Sequence, residues 1–96
     1  MKSITPTALQ QLLREEPDTI LIDVREPYEN EAFNIGGALI PLGEIMQHAT
    51  EIPTNKPVIL YCRKGVRSAI AIQRLQAKYG MENLVNLDGG VDGWLR

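Results

Sequence analysis

Three short, near-continuous apolar runs constrain this chain most: Ile20-Leu21-Ile22-Asp23-Val24, Val58-Ile59-Leu60-Tyr61 and Leu84-Val85-Asn86-Leu87. A strand with one face in water alternates apolar and polar residues. A run without that alternation is buried on both faces, as in a parallel sheet covered by helices. Segments with helical spacing lie between the runs. Thr5-Pro6 reads as an N-cap with proline at the first helical position, and Ala8, Leu9, Leu12 and Leu13 follow, which predicts a helix over 6–15. Glu29 to Phe33 predicts a short helical turn, and Ala38-Leu39-Ile40 a short strand ended by Pro41. Leu42, Ile45, Met46 and Ala49 share one helical face, predicting a helix over 42–50. Ala69, Ile72, Leu75, Gln76 and Tyr79 predict another over 67–79, closed by Gly80. Val91 to Leu95 closes the chain. Strands alternating with helices place the chain in the α/β class, with a mostly parallel sheet covered on both faces.

Ninety-six residues fit one domain, 1–96. A net charge of -2 and a pI near 5.3 leave no global basic stripe for a nucleic acid. One cysteine excludes an intramolecular disulfide, and with one histidine, His48, it cannot build a four-ligand zinc site. No metal and no cofactor are expected. The N-terminus lacks the apolar stretch of a signal peptide, and no run is long enough to span a bilayer. The expectation is a cytoplasmic monomer without a membrane partner.

Open α/β sheets bind ligands beyond the carboxyl ends of their strands. Three elements end strands there: Asp23-Val24-Arg25, Cys62-Arg63-Lys64 and Asp88-Gly89-Gly90. The lone Cys62 opens the loop Arg63-Lys64-Gly65-Val66-Arg67-Ser68, which leads into a helix. Gly65 can take positive φ at no steric cost, so the loop can curl round its cysteine and turn successive N–H groups inward as an anion nest. Ser68 is placed to cap the helix. Arg63, Lys64 and Arg67 add positive charge. A thiol at such a point is pushed toward thiolate, the reactive form, and is expected to be accessible. Plainer readings stand beside this one. A lone cysteine at a strand end is often a small buried hydrophobe. Arg63 and Lys64 could form a solvated turn, and Asp23 with Arg25 a purely structural pair. Gly89-Gly90 reads as a packing requirement, His48 as surface, and Tyr61 and Trp94 as core.

The chain resembles the rhodanese family. Cys62-Arg63-Lys64-Gly65-Val66-Arg67-Ser68 matches that family's motif Cys-x-x-Gly-x-Arg-Ser. Ile22-Asp23-Val24-Arg25-Glu26-Pro27, with Glu29 and Ile35-Gly36-Gly37-Ala38, is similar to its first signature; Leu87-Asp88-Gly89-Gly90 with Trp94 is similar to its last. The resemblance implies a three-layer α/β/α fold with a five-stranded parallel sheet in the order 1-5-4-2-3. It also implies sulfur transfer: Cys62 takes sulfur from a small anionic donor such as thiosulfate or a persulfide, and passes it to a thiol or a protein acceptor. Arg63 and Lys64 would attract the donor, with Gly65, Val66 and Ser68 completing its cradle. Arg67 would brace the loop against Asp23 or Glu29, and Arg25 would shape the pocket mouth. Asn34 stands where many members carry histidine, and the short tail after Trp94 would leave the last helix stubby.

Two other functions share this scaffold. Related domains hydrolyse phosphate esters or reduce arsenate with the same cysteine, but they need a longer loop than the six residues from Cys62 to Arg67, and no acid lies within this loop to protonate a leaving alcohol. A non-enzymatic interaction module is the second alternative, since fold alone does not establish activity.

Overall fold

The computed structural model describes residues 1–94. Its five strands are β1 (Lys2–Ile4), β2 (Ile20–Asp23), β3 (Ala38–Leu39), β4 (Val58–Tyr61) and β5 (Leu84–Leu87). They form one sheet, all parallel, in the order β1-β5-β4-β2-β3. The helices are α1 (Pro6–Glu15), α2 (Pro27–Ala32), α3 (Val66–Tyr79) and α4 (Gly90–Trp94), with a 3₁₀ helix over Ile45–Glu51.

The apolar runs become the three central strands, and strand alternation divides their side chains between two cores. Val58, Leu60 and Cys62 of the β4 segment, with Leu84 of β5, face α3 and the 3₁₀ helix, where Ile45, Ala49, Ala71, Ile72 and Leu75 meet them. Ile59, Tyr61 and Leu87 face the other way, toward Leu9, Leu12 and Leu13 of α1 and Val91 and Trp94 of α4. Each fully buried aliphatic side chain contributes about 1.5–3 kcal/mol of transfer free energy. Helix α1 begins as its sequence signals, with the amide of Ala8 donating to Thr5 Oγ1 at 3.2 Å.

Three local expectations are corrected. Strand β1 is invisible to periodicity: it has three residues, two of them exposed, and lies at the sheet edge beside β5. The segment read as a helix over 42–50 is turn at its start and 3₁₀ from Ile45. Its apolar face packs as expected, with Ile45 and Ala49 buried, and the tighter 3₁₀ turns serve as a short connector. The expected strand over 20–24 ends at Asp23, although the Val24 amide still bonds the Tyr61 carbonyl at 3.0 Å. Leu95, where the last predicted segment ended, and the short tail lie outside the described residues.

Candidate functional site

The site begins where β4 ends. Alternation turns Cys62 toward α3, and the Arg63–Gly65 turn brings the chain back so that α3 starts beside the sulfur. Gly65 has φ of 95°, a region other residues avoid. The turn aims two amides at the sulfur: Gly65 N–H donates to Cys62 Sγ at 3.1 Å, and Ser68 N–H at 3.4 Å. The amides of Val66 and Arg67, the first two of α3, have no acceptor within the helix and add to the positive end of its dipole. The result is a small cavity of about 260 Å³ lined by Cys62, Arg63, Lys64, Val66 and Arg67.

The loop is held from two further elements. At its start, the Cys62 and Arg63 carbonyls accept from the Val91 and Asp92 amides of α4, each at 3.0 Å. Gly90 makes that approach possible: a Cβ there would overlap the backbone carbonyl groups of Cys62 and Arg63, and its φ is 61°. At the other end, Arg67 forms a two-pronged pair with Glu29 of α2, Nη1 to Oε1 at 2.7 Å and Nη2 to Oε2 at 2.9 Å. Arg67's hydrogen bonds hold the Glu29 carboxyl down at about 2, and the same bonds raise the Arg67 guanidinium.

The residues singled out in the sequence fall into distinct places. Cys62, Arg63, Lys64, Val66 and Arg67 converge on the cavity, and Gly65 and Ser68 meet the sulfur through their amides. Arg63 is largely solvated and 3.4 Å from Asp92, so part of its charge is answered from α4. Of the two partners considered for Arg67, the structure selects Glu29. Asp23 is engaged elsewhere: its carboxylate accepts from Arg25 Nε at 2.9 Å, Arg25 Nη2 at 2.8 Å and Asn30 Nδ2 at 3.0 Å. Arg25 is buried, also donates to the Phe33 carbonyl at 2.6 Å, and lies over the Tyr61 ring at 5.6 Å. Burial opposes its charge, but Asp23 outweighs that and raises its pKa. Arg25 does not line the Cys62 cavity; the Asp23–Arg25 pair welds the end of β2 to the segment after α2.

Two expectations change. Cys62 is not accessible as a residue: it is 1% exposed, its sulfur forming the floor of the cavity because alternation points it into the α3 core. Ser68 does not cap α3. The cap is Gly65, which has no side chain to accept from the free amides, and Ser68 is the third residue of the helix, its hydroxyl turned inward. Tyr61 is core, yet its hydroxyl donates to the Gly36 carbonyl at 2.9 Å and accepts from the Ile35 amide at 3.4 Å. Burial pushes that phenol up to about 12. Asn34 acts within its own loop, donating to the Asn30 carbonyl and accepting from the Gly36 amide.

Sequence reasoning missed Asn86. This buried residue of β5 accepts a short hydrogen bond from the Ser68 hydroxyl and donates from Nδ2 to the Gly65 carbonyl at 3.1 Å. The signal was present: one amide in an otherwise apolar strand, on the face where its neighbour at 84 is leucine. No group of residues able to hold a metal ion occurs among the described residues. No described helix is long and apolar enough to cross a membrane.

Comparison with known proteins agrees with this architecture. The family model described as "Rhodanese-like domain" matches residues 5–96. A protein named "Sulfurtransferase" from Allochromatium vinosum is 35% identical over 97 residues, covering 100% of this chain and 90% of that protein. The uncharacterized protein YqhL of Bacillus subtilis is 51% identical over 75 residues, 77% of this chain and 59% of its own. Other relatives are longer still, and the chain spans between 18% and 51% of them. The crystal structure of a rhodanese-like domain protein from Staphylococcus aureus superposes with a TM-score of 0.88 at 32% identity, covering 98% of this chain and 91% of that one.

Proposed function

The chain belongs to the rhodanese-like family, and on that premise we propose that it is a sulfurtransferase working through a persulfide on Cys62. The observation that carries the reading is the seating of the sulfur. Cys62 Sγ lies at the start of α3 with the amides of Gly65 and Ser68 directed at it, in a cavity large enough for a small anion. Amides directed at one point stabilise negative charge that develops there, and the same positive field receives an anionic donor. A relative that shares the full length of the chain is named a sulfurtransferase, which supports the class of reaction.

With thiosulfate as donor, the Cys62 thiolate attacks the outer sulfur. A Cys62 S–S bond forms, the donor's S–S bond breaks, and its electron pair leaves with sulfite. The terminal sulfur of the persulfide carries the negative charge and lies within the nest, where preorganised N–H groups stabilise it. Arg63 and Lys64 at the rim draw the dianion in, while Arg67, tied to Glu29, holds the loop in shape. A thiolate or cyanide acceptor then attacks the terminal sulfur, and Cys62 thiolate is restored. Two successive covalent transfers require ping-pong kinetics.

Intact-protein mass spectrometry tests this directly. Thiosulfate should add one sulfur atom to the wild type and none to Cys62→Ser, and cyanide should remove it. Failure with thiosulfate but success with a glutathione persulfide would keep the mechanism and change the donor. Failure with both would abandon the enzyme in favour of a binding module.

A further inference from the structure

We propose that Asn86 is a positioning residue that governs how readily Cys62 reacts, by holding the hydroxyl proton of Ser68 away from the sulfur. The proposal rests on Cys62 being the reactive group of the site.

The argument follows the protons. Ser68 Oγ carries one hydrogen and lies between two partners, Cys62 Sγ at 3.3 Å and Asn86 Oδ1. The Asn86 amide is oriented by the Gly65 carbonyl, which accepts from Nδ2 at 3.1 Å. Flipping the amide would set its oxygen against that carbonyl, two acceptors facing each other, so Oδ1 faces Ser68. The only proton available between Ser68 and Asn86 Oδ1 is then the serine's. Toward Cys62, Ser68 is left as an acceptor, and the thiol donates to it.

Four hydrogen bonds therefore close a ring with one direction. Cys62 S–H donates to Ser68 Oγ, and Ser68 O–H to Asn86 Oδ1. Asn86 Nδ2–H donates to the Gly65 carbonyl, and Gly65 N–H returns to Cys62 Sγ. In the neutral thiol every donor of this set meets an acceptor. Once the thiol loses its proton, the sulfur keeps the two amides, but a third donor lies beside it facing the wrong way. Turning the hydroxyl to the sulfur would strand Asn86 Oδ1, on a residue 8% exposed, without a donor. Asn86 thus competes with the thiolate for one proton. A leucine at this position would fill the α3-facing core, as Leu84 does on the same face, and would make no such claim.

The charges on the surrounding elements are not altered by this. Arg67 of α3 stays paired with Glu29 of α2, Arg63 and Lys64 remain in the loop, Asp92 of α4 stays near Arg63, and Asp23 and Arg25 of the β2 segment answer one another. Asp88, beyond β5, is exposed.

The test is the pH profile of iodoacetamide alkylation of the intact protein, which reads the sulfur without any sulfur donor. Failure of sulfur transfer and failure of this proposal are therefore separable. Asn86→Leu should move the midpoint of the profile to lower pH by about half to one unit and speed alkylation at neutral pH by about threefold to tenfold. Combined with Ser68→Ala, the Asn86 substitution should have no further effect. An unmoved midpoint in Asn86→Leu, or the same displacement without Ser68, overturns the proposal. Should the leucine variant not fold, Ser68→Ala alone decides. A midpoint no higher than that of the wild type supports a hydroxyl committed to Asn86. A higher one means that Ser68 donates to the thiolate, and the proposal fails.

Discussion

Replacing Glu29 by glutamine would remove one charge from the brace of the cysteine loop and leave its shape. The two oxygens of Glu29 meet both terminal nitrogens of Arg67 at 2.7 and 2.9 Å, the geometry in which arginine pairs are strongest. The carboxyl is held at about 2 against an ordinary 4.5. At about 1.4 kcal/mol per pH unit the ceiling on its contribution is about 3.5 kcal/mol. Arg67 is 35% exposed in its side chain and Glu29 15%, so solvent screening reduces this to about 1–2 kcal/mol. Because the folded carboxyl lies below its unfolded value, the contribution is complete above about pH 4.5 and is lost as pH falls toward 2. Urea denaturation of wild type and Glu29→Gln should therefore differ by about 1–2 kcal/mol at pH 7. The difference should be constant down to about pH 5 and shrink steadily below it. An equal difference at pH 7 and at pH 3 would show that the glutamine acts through packing and would refute the electrostatic reasoning. High salt should weaken the effect at pH 7.

Two other consequences are open to measurement. Asp23→Ala would leave the buried Arg25 guanidinium without its carboxylate, and should cost about 3–5 kcal/mol in chemical denaturation, far more than a surface charge deletion. Tyr61, held up at about 12, should stay largely un-ionised when absorbance is titrated through about pH 11. Its folded value lies above the unfolded one, so this contribution to stability is present below pH 10 and is lost as pH rises through about 12. Tyr61→Phe should abolish that late titration.

How far the sequence could be read depended on where the information is stored. Strands β2, β4 and β5 are legible because burial on both faces writes itself as unbroken apolar runs. Helices α1 and α3 are legible from their spacing, and α1 also from its cap. Strand β1 is not, because an exposed edge strand of three residues needs only backbone pairing with β5. The cysteine loop could be read from the order of Cys62, Gly65 and Arg67, since its turn and helix start are local. The role of Ser68 could not, and that of Arg25 stood between two readings, rim residue or structural partner of Asp23. Ser68 looked like a cap from its neighbours, but its partner Asn86 is eighteen residues away, on a strand that the topology brings in. The family resemblance put Arg25 at the pocket mouth. Only the fold shows that Asp23, Asn30 and the Phe33 carbonyl are arranged to keep it inside.

The hold of α4 on the cysteine loop has a consequence for the order of events during synthesis. The carbonyls of Cys62 and Arg63 are bonded by residues 91 and 92, and the ring around the sulfur closes through Asn86. A chain emerging from the ribosome N-terminus first presents Cys62 well before either element exists. Strand β4 can then pair only with β2, and one side of it waits for β5. The hydrogen bonds that seat the sulfur and its loop are completed late, with Asn86, Val91 and Asp92.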